Sequence, residues 1–158
     1  MTSVRRSTAA AATAVVLATV GGLLAVSATT ANAAVTCASP VFKRQLFANT
    51  TFSGTPKKTD CDSAIDQNWG TGAPATGLPT NNFGVRWTLT RDFGSGGPFT
   101  LSASGLDGIR VYLDPGTTGA RKIDLWKNGT TTVSKTVNLT IPAGKHTLRV
   151  DYVNWTGS

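Results

Sequence analysis

Hydrophobic and polar residues alternate in residues 83–90 of this chain. Phe83, Val85, Trp87 and Leu89 occupy every second position, and the positions between them hold glycine, arginine and threonine. Because successive side chains of an extended strand point to opposite faces, this repeat predicts a half-buried strand with an aromatic core face. The same alternation recurs in four later segments, at residues 99–104, 109–112, 136–141 and 148–152.

Turn-forming residues separate these segments. Residues 94–98, 114–116 and 142–144 each combine glycine with proline, and both residues favour turns. Asn128-Gly129 is the pair most typical of a tight hairpin, so we expect antiparallel neighbours on either side of it. Short strands, regular turns and the lack of a convincing amphipathic helix predict an all-β fold, a sandwich or jelly-roll-like barrel.

The pattern before residue 83 is weaker. Residues 46–52 indicate an early extended segment, which glycine and proline interrupt at 53–56. Asp62 is suited to cap a single helical turn at 62–65. Residues 68–82 are rich in Gly, Pro, Thr and Asn, and their number predicts a surface loop of the kind that often carries function.

The start of the chain has the features of a bacterial export signal. It combines a pair of arginines at 5–6, an apolar run at 9–26 and small residues at 31–33. A retained membrane anchor and the twin-arginine export route are alternatives, but the run is weakly hydrophobic and the arginines lack a bulky apolar residue after them. We expect residues 1–34 to be cleaved as a signal peptide, which leaves residues 35–158 as one secreted, extracellular domain without a membrane anchor.

The residues after this signal carry scattered positive charge. Thirteen Lys and Arg residues stand against eight aspartates and no glutamate, which gives a formal charge of +5. The basic residues form isolated pairs instead of a stripe, so we expect no nucleic-acid partner. A solvated basic surface suits contact with an anionic cell envelope.

Two cysteines lie in the exported part, Cys37 and Cys61. In an oxidising compartment the simplest expectation is one disulfide, which would stabilise the domain by roughly 3 kcal/mol on a loop-entropy model. A metal site is less well supported, because the chain has no second cysteine pair and its single histidine, His146, is distant in sequence.

Five motifs occur in a fixed order. They are Asn68-Trp69-Gly70, Phe83-Gly84-Val85-Arg86-Trp87, Asp107-Gly108-Ile109-Arg110-Val111, Ile123-Asp124-Leu125-Trp126 and residues 142–152, PAGKHTLRVDY. Taken together, in this order and spacing, they resemble the PA14 domain. The resemblance implies a β-sandwich of jelly-roll character that occurs as a module of secreted proteins. It also implies carbohydrate binding, in which calcium takes part in the adhesin lectins.

The calcium-dependent lectins of this family hold the ion with two consecutive aspartates. The resemblance places Leu106-Asp107 at that pair, at the start of a turn and strand that span residues 105–112. Leu106 has no oxygen ligand, so we expect no calcium and regard Asp107 as only a weak metal candidate. An aspartate before glycine also commonly fixes a turn by bonding its own backbone, and for Asp107 this interpretation is favoured over ligand binding.

Tryptophans are the other candidate sugar contacts. Trp87 has the parity of the core face, Trp126 has that of Lys122 and Asp124, and Trp69 lies in the long loop. An exposed tryptophan can stack on a sugar, whereas a buried one fills the core. The candidate ligand-binding residues are therefore Asp107, Gly108, Trp69 and Trp126.

Catalysis has little support in the sequence. Without glutamate, a glycosidase pair would need two aspartates, and no serine stands in a GxSxG context. Asp60, Asp62 and Asp66 lack the glycine and glutamate of an EF-hand loop. His146 follows a turn and begins a strand, so we interpret it as structural. We expect no enzyme.

The family's final strand would follow residue 153, whereas the sequence ends at Ser158, so we expect a fragment of a longer exported protein that lacks this strand. The predicted function is a non-catalytic module that binds cell-wall or environmental polysaccharide beside further domains of a parent protein. The alternative is a structural or protein-interaction module without sugar binding. Exposure of Trp69 and Trp126 beside residues 105–108 would favour the first function, and their burial the second.

Overall fold

The computed structural model describes residues 34–156, so the predicted signal peptide lies outside the described residues except for residue 34. This range contains eight strands and no helix. The strands are β1 (Phe42–Phe47), β2 (Lys58–Asp62), β3 (Phe83–Asp92), β4 (Gly97–Gly105), β5 (Gly108–Leu113), β6 (Arg121–Leu125), β7 (Val133–Ile141) and β8 (Lys145–Asn154).

The strands form two antiparallel sheets. The larger sheet has the order β2-β1-β3-β8-β5-β6, and the smaller one pairs β4 with β7. Leu101 of β4 and Val137 of β7 pack against the core cluster of the larger sheet, so the two sheets face each other. The predicted all-β sandwich is confirmed.

The core lies on the face of the larger sheet that the alternation predicted. Phe83 and Val85 are fully buried, Trp87 is 2% exposed and Leu89 is 6% exposed. Burial of each such side chain stabilises the fold by roughly 1.5–3 kcal/mol. β3 can carry this stripe because it lies between β1 and β8, which satisfy its backbone on both edges.

The predicted early segment at residues 46–52 is wrong in position. β1 begins at Phe42 and ends at Phe47, and β2 pairs with it although no strand was expected there. Arg44 explains the shift, because its guanidinium makes hydrogen bonds of 2.8 and 2.9 Å with Asp60 across the pair. Charged residues therefore occupy strand positions that a hydrophobic pattern could not identify.

The predicted helical turn at residues 62–65 is also wrong. Asp62 ends β2, and residues 63–82 contain no strand or helix. The Asp62 carboxylate accepts side-chain hydrogen bonds, the shortest from Trp87 Nε1 at 2.8 Å. Asp62 therefore bonds a core side chain and does not cap a helix. The long surface loop expected at residues 68–82 is present.

The hairpin predicted at Asn128-Gly129 does not form. β6 and β7 on either side of this pair belong to different sheets, so the connection crosses the sandwich. The Gly129 N–H donates to the Asp107 carboxylate at 3.0 Å, and Asn128 Oδ1 accepts a bond from Thr156 Oγ1 at 2.9 Å. Tertiary partners thus replace the local turn.

The disulfide between Cys37 and Cys61 is confirmed, with the two Cα atoms 5.6 Å apart. It joins the segment before β1 to β2 at the edge of the larger sheet. The N-terminal part of the described chain is thereby fixed to the domain.

Candidate functional site

A cavity of about 440 Å³ opens at one end of the sandwich. The long loop, the start of β5 and the end of β8 form its walls, and we call it the end cavity. Its lining comprises Ile65, Asp66, Gln67, Asn68, Trp69, Gly70, Trp87, Ser104, Gly105, Leu106, Ile109, Thr132, Tyr152 and Asn154. Aromatic, amide and hydroxyl side chains predominate in this set, and Asp66 is its only acidic member within the described chain.

Aromatic residues form one side of the end cavity. The Trp69 ring stacks on Trp87 with centroids 6.5 Å apart and an interplanar angle of 23°. Its centroid also lies 5.5 Å from that of Phe83 and 5.7 Å from that of Tyr152. Because Trp87 and Phe83 belong to the buried core, these contacts fix the half-buried loop residue Trp69 in place.

Asp62 holds the start of the loop to the core. Its Oδ2 atom accepts hydrogen bonds from Trp87 Nε1 at 2.8 Å, Gln67 Nε2 at 2.9 Å and Arg44 Nη1 at 3.0 Å. Arg44 also bonds Asp60 in a bidentate manner, and this bond lowers the pKa of the Asp60 carboxyl below its ordinary value. The wall that carries Gln67 and Trp69 is therefore anchored by charge-assisted bonds.

Tyr152 and Asn154 of β8 supply polar groups to the end cavity. A side-chain hydrogen bond joins them, and burial raises the pKa of Tyr152, to which the charge of Asp107 adds. The phenol consequently stays protonated at neutral pH. Gln67 Oε1 is buried without a hydrogen-bond partner among the described residues, whereas its Nε2 is bonded to Asp62 and to the Ala64 carbonyl.

Asp107 is buried behind the end cavity. Its side chain is 1% exposed, and its φ of 68° places it in the left-handed region at the turn before β5. The carboxylate accepts backbone N–H bonds from Gly129 at 3.0 Å, Trp155 at 3.0 Å and Thr156 at 3.3 Å. The sequence predicted a bond to its own turn, whereas these partners lie 22 to 49 residues away.

The donor set at this turn does not fit calcium. Leu106 contributes an aliphatic side chain, and the Asp107 carboxylate is directed to backbone N–H groups, whereas calcium takes six to eight oxygen ligands. Within residues 34–156, His, Cys, Asp and Glu side chains form no group of three that could bind a metal ion.

Gly108 is required by packing. A Cβ atom at this position would lie 2.7 Å from Val153 Cγ2 and 2.8 Å from the Trp155 ring. The Trp155 ring therefore rests directly on the backbone of β5. Gly108 supports the turn beside the end cavity without lining the cavity itself.

Trp126 lies away from the end cavity, on the outer face of the larger sheet. The Arg110 guanidinium carbon is 4.2 Å from the centroid of its ring, and the Trp155 ring meets it edge to face at 5.4 Å. The structure thus brings Trp69 together with the 105–106 part of the predicted turn but leaves Trp126 in a separate aromatic cluster. The ligand-binding roles of Asp107, Gly108, Trp69 and Trp126 stay predictions.

The sequence interpretation did not identify Tyr152, Asn154 and Gln67 as site residues. Tyr152 has the parity of Leu148 and Val150, and this parity alone predicts a strand residue that faces the core without indicating a ligand site. Tyr152 is an aromatic residue on the core side of its strand and close to the end of that strand, and this combination could have identified it as a site residue. Nothing local to Gln67 and Asn154 indicates that the fold brings them into one cavity.

Among residues 34–156, no helix has the length and apolar character that a membrane crossing requires.

Comparisons with known proteins support the fold. A family model described as PA14 domain matches residues 38–158. An anti-sigma factor domain-containing protein has a TM-score of 0.59 and 24% identity over 73% of this chain and 38% of that chain. An anti-sigma factor domain-containing protein from Clostridium clariflavum has a TM-score of 0.58 and 26% identity over 72% of this chain and 38% of its own.

The chain therefore spans about 38% of the length of these solved structures. A search of the curated proteins finds no match.

Proposed function

The chain belongs to the PA14 domain family, and from that membership we propose that it is a secreted, non-catalytic carbohydrate-binding module. Cell-wall or environmental polysaccharide is the ligand class. The observation that carries the proposal is the end cavity, in which Trp69 and Tyr152 lie among amide and hydroxyl groups. Aromatic surfaces suit the apolar faces of sugar rings, and neutral polar groups suit their hydroxyls.

The size and wall of the end cavity support a saccharide ligand. A volume of about 440 Å³ lies within the range of small-molecule sites. The hydrogen bonds that Asp62 accepts from Trp87 and Gln67 hold the aromatic wall in position before a ligand binds. Because the wall is already ordered, the entropic cost of binding is smaller. Trp69 is the residue expected to contribute most to affinity, because tryptophan in a desolvated pocket is a frequent hot spot.

A non-catalytic role agrees with the lining. Glycoside hydrolysis in most families uses two carboxyl groups that flank the scissile bond. Asp66 is exposed, and Asp107 is buried behind the cavity with its carboxylate bonded to backbone N–H groups. The matched region is 38% of each of the two anti-sigma factor domain-containing chains, which supports the proposal that this module serves a larger protein.

A glycan array probed with the purified protein tests the proposal. We expect binding to at least one neutral polysaccharide fragment in the presence of either calcium or chelator, because no metal is part of the proposed site. Trp69→Ala should weaken that binding at least tenfold, since hot-spot truncation costs about 2 kcal/mol or more. Trp126→Ala removes the same side chain from outside the cavity: unchanged binding would support the end cavity as the sugar site, whereas an equal loss would favour the aromatic cluster that contains Trp126.

A second variant guards against a folding defect in Trp69→Ala. Thr132 is exposed and lines the cavity, so Thr132→Arg should obstruct it while the protein stays folded. Folded protein that binds no glycan would contradict the proposal and favour the structural or protein-interaction module. Chelator-sensitive binding would show that calcium is held despite Leu106.

A further inference from the structure

The outer face of the larger sheet carries charges in two rows across neighbouring strands. The first row consists of four residues that lie opposite one another on neighbouring strands: Arg86 of β3, Asp151 of β8, Arg110 of β5 and Asp124 of β6. Cations and anions alternate along it. Arg86 bonds Asp151 through two nitrogens at 2.7 and 3.0 Å, and Arg110 Nε bonds Asp124 at 2.8 Å. The first row is therefore neutral and internally paired.

The second row lies two residues further along the same face. Register places Arg149 of β8 opposite Tyr112 of β5, and Tyr112 opposite Arg121 of β6. This row has two guanidinium groups and no carboxylate of its own. Among residues 34–156, its cations form ion pairs with the aspartates of the first row, Arg149 Nε with Asp151 at 3.4 Å and Arg121 Nε with Asp124 at 3.2 Å.

Those aspartates already accept shorter bonds from Arg86 and Arg110. Four guanidinium groups thus share two carboxylates, and the uncompensated positive charge falls on the second row. Arg149 Nε is buried without a hydrogen-bond partner among the described residues. That nitrogen lies 3.4 Å from Asp151 Oδ2, which is longer than a charge-assisted hydrogen bond, so this carboxylate compensates the Arg149 charge only weakly.

Arg149 and Arg121 line one cavity of about 380 Å³ together with Tyr112 and the loop before β6. The Arg149 guanidinium carbon lies 4.2 Å from the centroid of the Tyr112 ring, which restricts its position. The loop is held by bonds of 2.9 Å from Thr117 Oγ1 to the Asp114 carbonyl and from Leu113 N to the Ala120 carbonyl. The loop wall is therefore held in place, and two guanidinium groups line the cavity.

We propose that this cavity, with Arg149 and Arg121 as its cationic groups, binds an oxyanion of an acidic polysaccharide, either a uronate carboxylate or a phosphodiester. Planar guanidinium groups match the oxygens of both anions with paired hydrogen bonds. The site is separate from the end cavity, because Tyr112 and Arg149 lie on the outer face of the sheet whereas Trp87 and Ile109 face the core. It stands independently of the function proposed for the end cavity.

Isothermal titration at low salt provides the test. The full chain is titrated with oligogalacturonate, which carries carboxylates, with polyglycerol phosphate, which carries phosphodiesters, and with neutral dextran. Binding of either anionic polymer identifies the source of the oxyanion, and dextran should not compete for this site. Arg121→Gln should lower the affinity for the bound polymer about tenfold. The variant loses one charge-assisted bond to the ligand, and because Arg121 is exposed the fold is retained.

Arg149→Lys keeps the charge but loses the planar fork, so its affinity should fall between those of Arg121→Gln and the unchanged protein. The matched control is Arg91→Gln, because Arg91 also lies over an aromatic ring, Phe93 at 5.0 Å, and is exposed outside the cavity. An equal loss in Arg91→Gln would indicate attraction to net charge alone and would overturn the proposal. Unchanged binding in Arg121→Gln, or no binding of either anionic polymer, would overturn it as well.

Discussion

The carboxylate of Asp107 accepts a hydrogen bond from the backbone N–H of Trp155 at 3.0 Å, although 48 residues separate them in sequence. The same carboxylate accepts a bond from Gly129 N at 3.0 Å. Three segments of the chain meet at this one side chain: the turn before β5, the connection between the sheets and the residues after β8. The turn beside the end cavity is therefore held by contacts that arise only when the whole domain has folded.

Replacing Asp107 should destabilise the domain strongly. Asp107→Ala leaves part-buried backbone N–H groups without their buried acceptor, and we expect the free energy of unfolding to fall by about 3 kcal/mol. Urea unfolding followed by tryptophan fluorescence measures this change. Asp66→Ala is the control, because Asp66 is exposed, and it should alter stability by less than about 0.5 kcal/mol. Equal stability of the two variants would refute the structural role of Asp107.

Gly108 should tolerate no side chain. Gly108→Ala places a methyl group against Val153 and the Trp155 ring at less than 3 Å, so we expect a loss of about 1–3 kcal/mol from overpacking. Gly129→Ala serves as the control, because a Cβ atom there meets nothing within 4 Å. Thermal unfolding of both proteins distinguishes them. A Gly108→Ala protein as stable as the parent would mean that Trp155 does not rest on β5.

Asp62 and Trp87 should be energetically coupled. The Trp87 Nε1–H donates to Asp62 at 2.8 Å from a ring that is 2% exposed. Asp62→Ala and Trp87→Phe each remove the bond and should destabilise the domain, and the double variant should lose about 1 kcal/mol less than the sum of the two. A double-mutant cycle in urea gives this coupling energy. Strict additivity would show that the bond contributes nothing to stability.

The pair formed by His146 and Asp114 should make stability depend on pH. Their side chains meet at 2.7 Å, and this bond raises the pKa of His146 above its ordinary value. The backbone N–H of Thr147, and then His146 itself, lower the pKa of Asp114. At pH values below the ordinary histidine pKa of 6.5, the contribution of His146 to folding stability is fully present. It is lost as pH rises through the raised pKa of the folded state.

We therefore expect the melting temperature to fall between about pH 6 and pH 8. His146 is the only histidine of the chain, so His146→Gln should flatten this part of the profile. The Asp114 contribution follows the opposite sign: it is present above the ordinary aspartate value of 3.8 and is lost as pH falls through the lowered pKa. A His146→Gln protein that keeps the neutral-pH slope would exclude His146 as its origin.

The main strands could be predicted because their signal is local. In β3, apolar side chains at every second position correspond directly to the buried face, and Phe83, Val85 and Trp87 all lie in the core. The two-residue repeat is a property of the extended backbone itself, so it can be recognised in the sequence even when the neighbouring strands are unknown. The long loop after β2 was predictable for a similar reason, since its Gly and Pro content prevents regular structure.

The remaining features depend on partners that are distant in sequence. Arg44 belongs to a strand because Asp60 accepts its hydrogen bonds, and no hydrophobic pattern records that pairing. Asn128-Gly129 has the composition of a hairpin, yet the Asp107 carboxylate bonds Gly129 and the chain crosses between sheets. The end cavity was only partly predictable, because Trp69 is conspicuous in a loop whereas the position of Tyr152 beside it is a product of strand order.

The disulfide between Cys37 and Cys61 also determines how the domain would transmit tension. A pulling force that enters at Cys37 passes through the sulfur bridge directly to Cys61, so the covalent backbone between the two cysteines is bypassed. The cysteines are separated by 24 residues in sequence, which at about 3.5 Å per extended residue corresponds to about 80 Å of chain. While the disulfide is intact, pulling cannot extend this length. The bridge makes the domain a shorter tether when it is stretched.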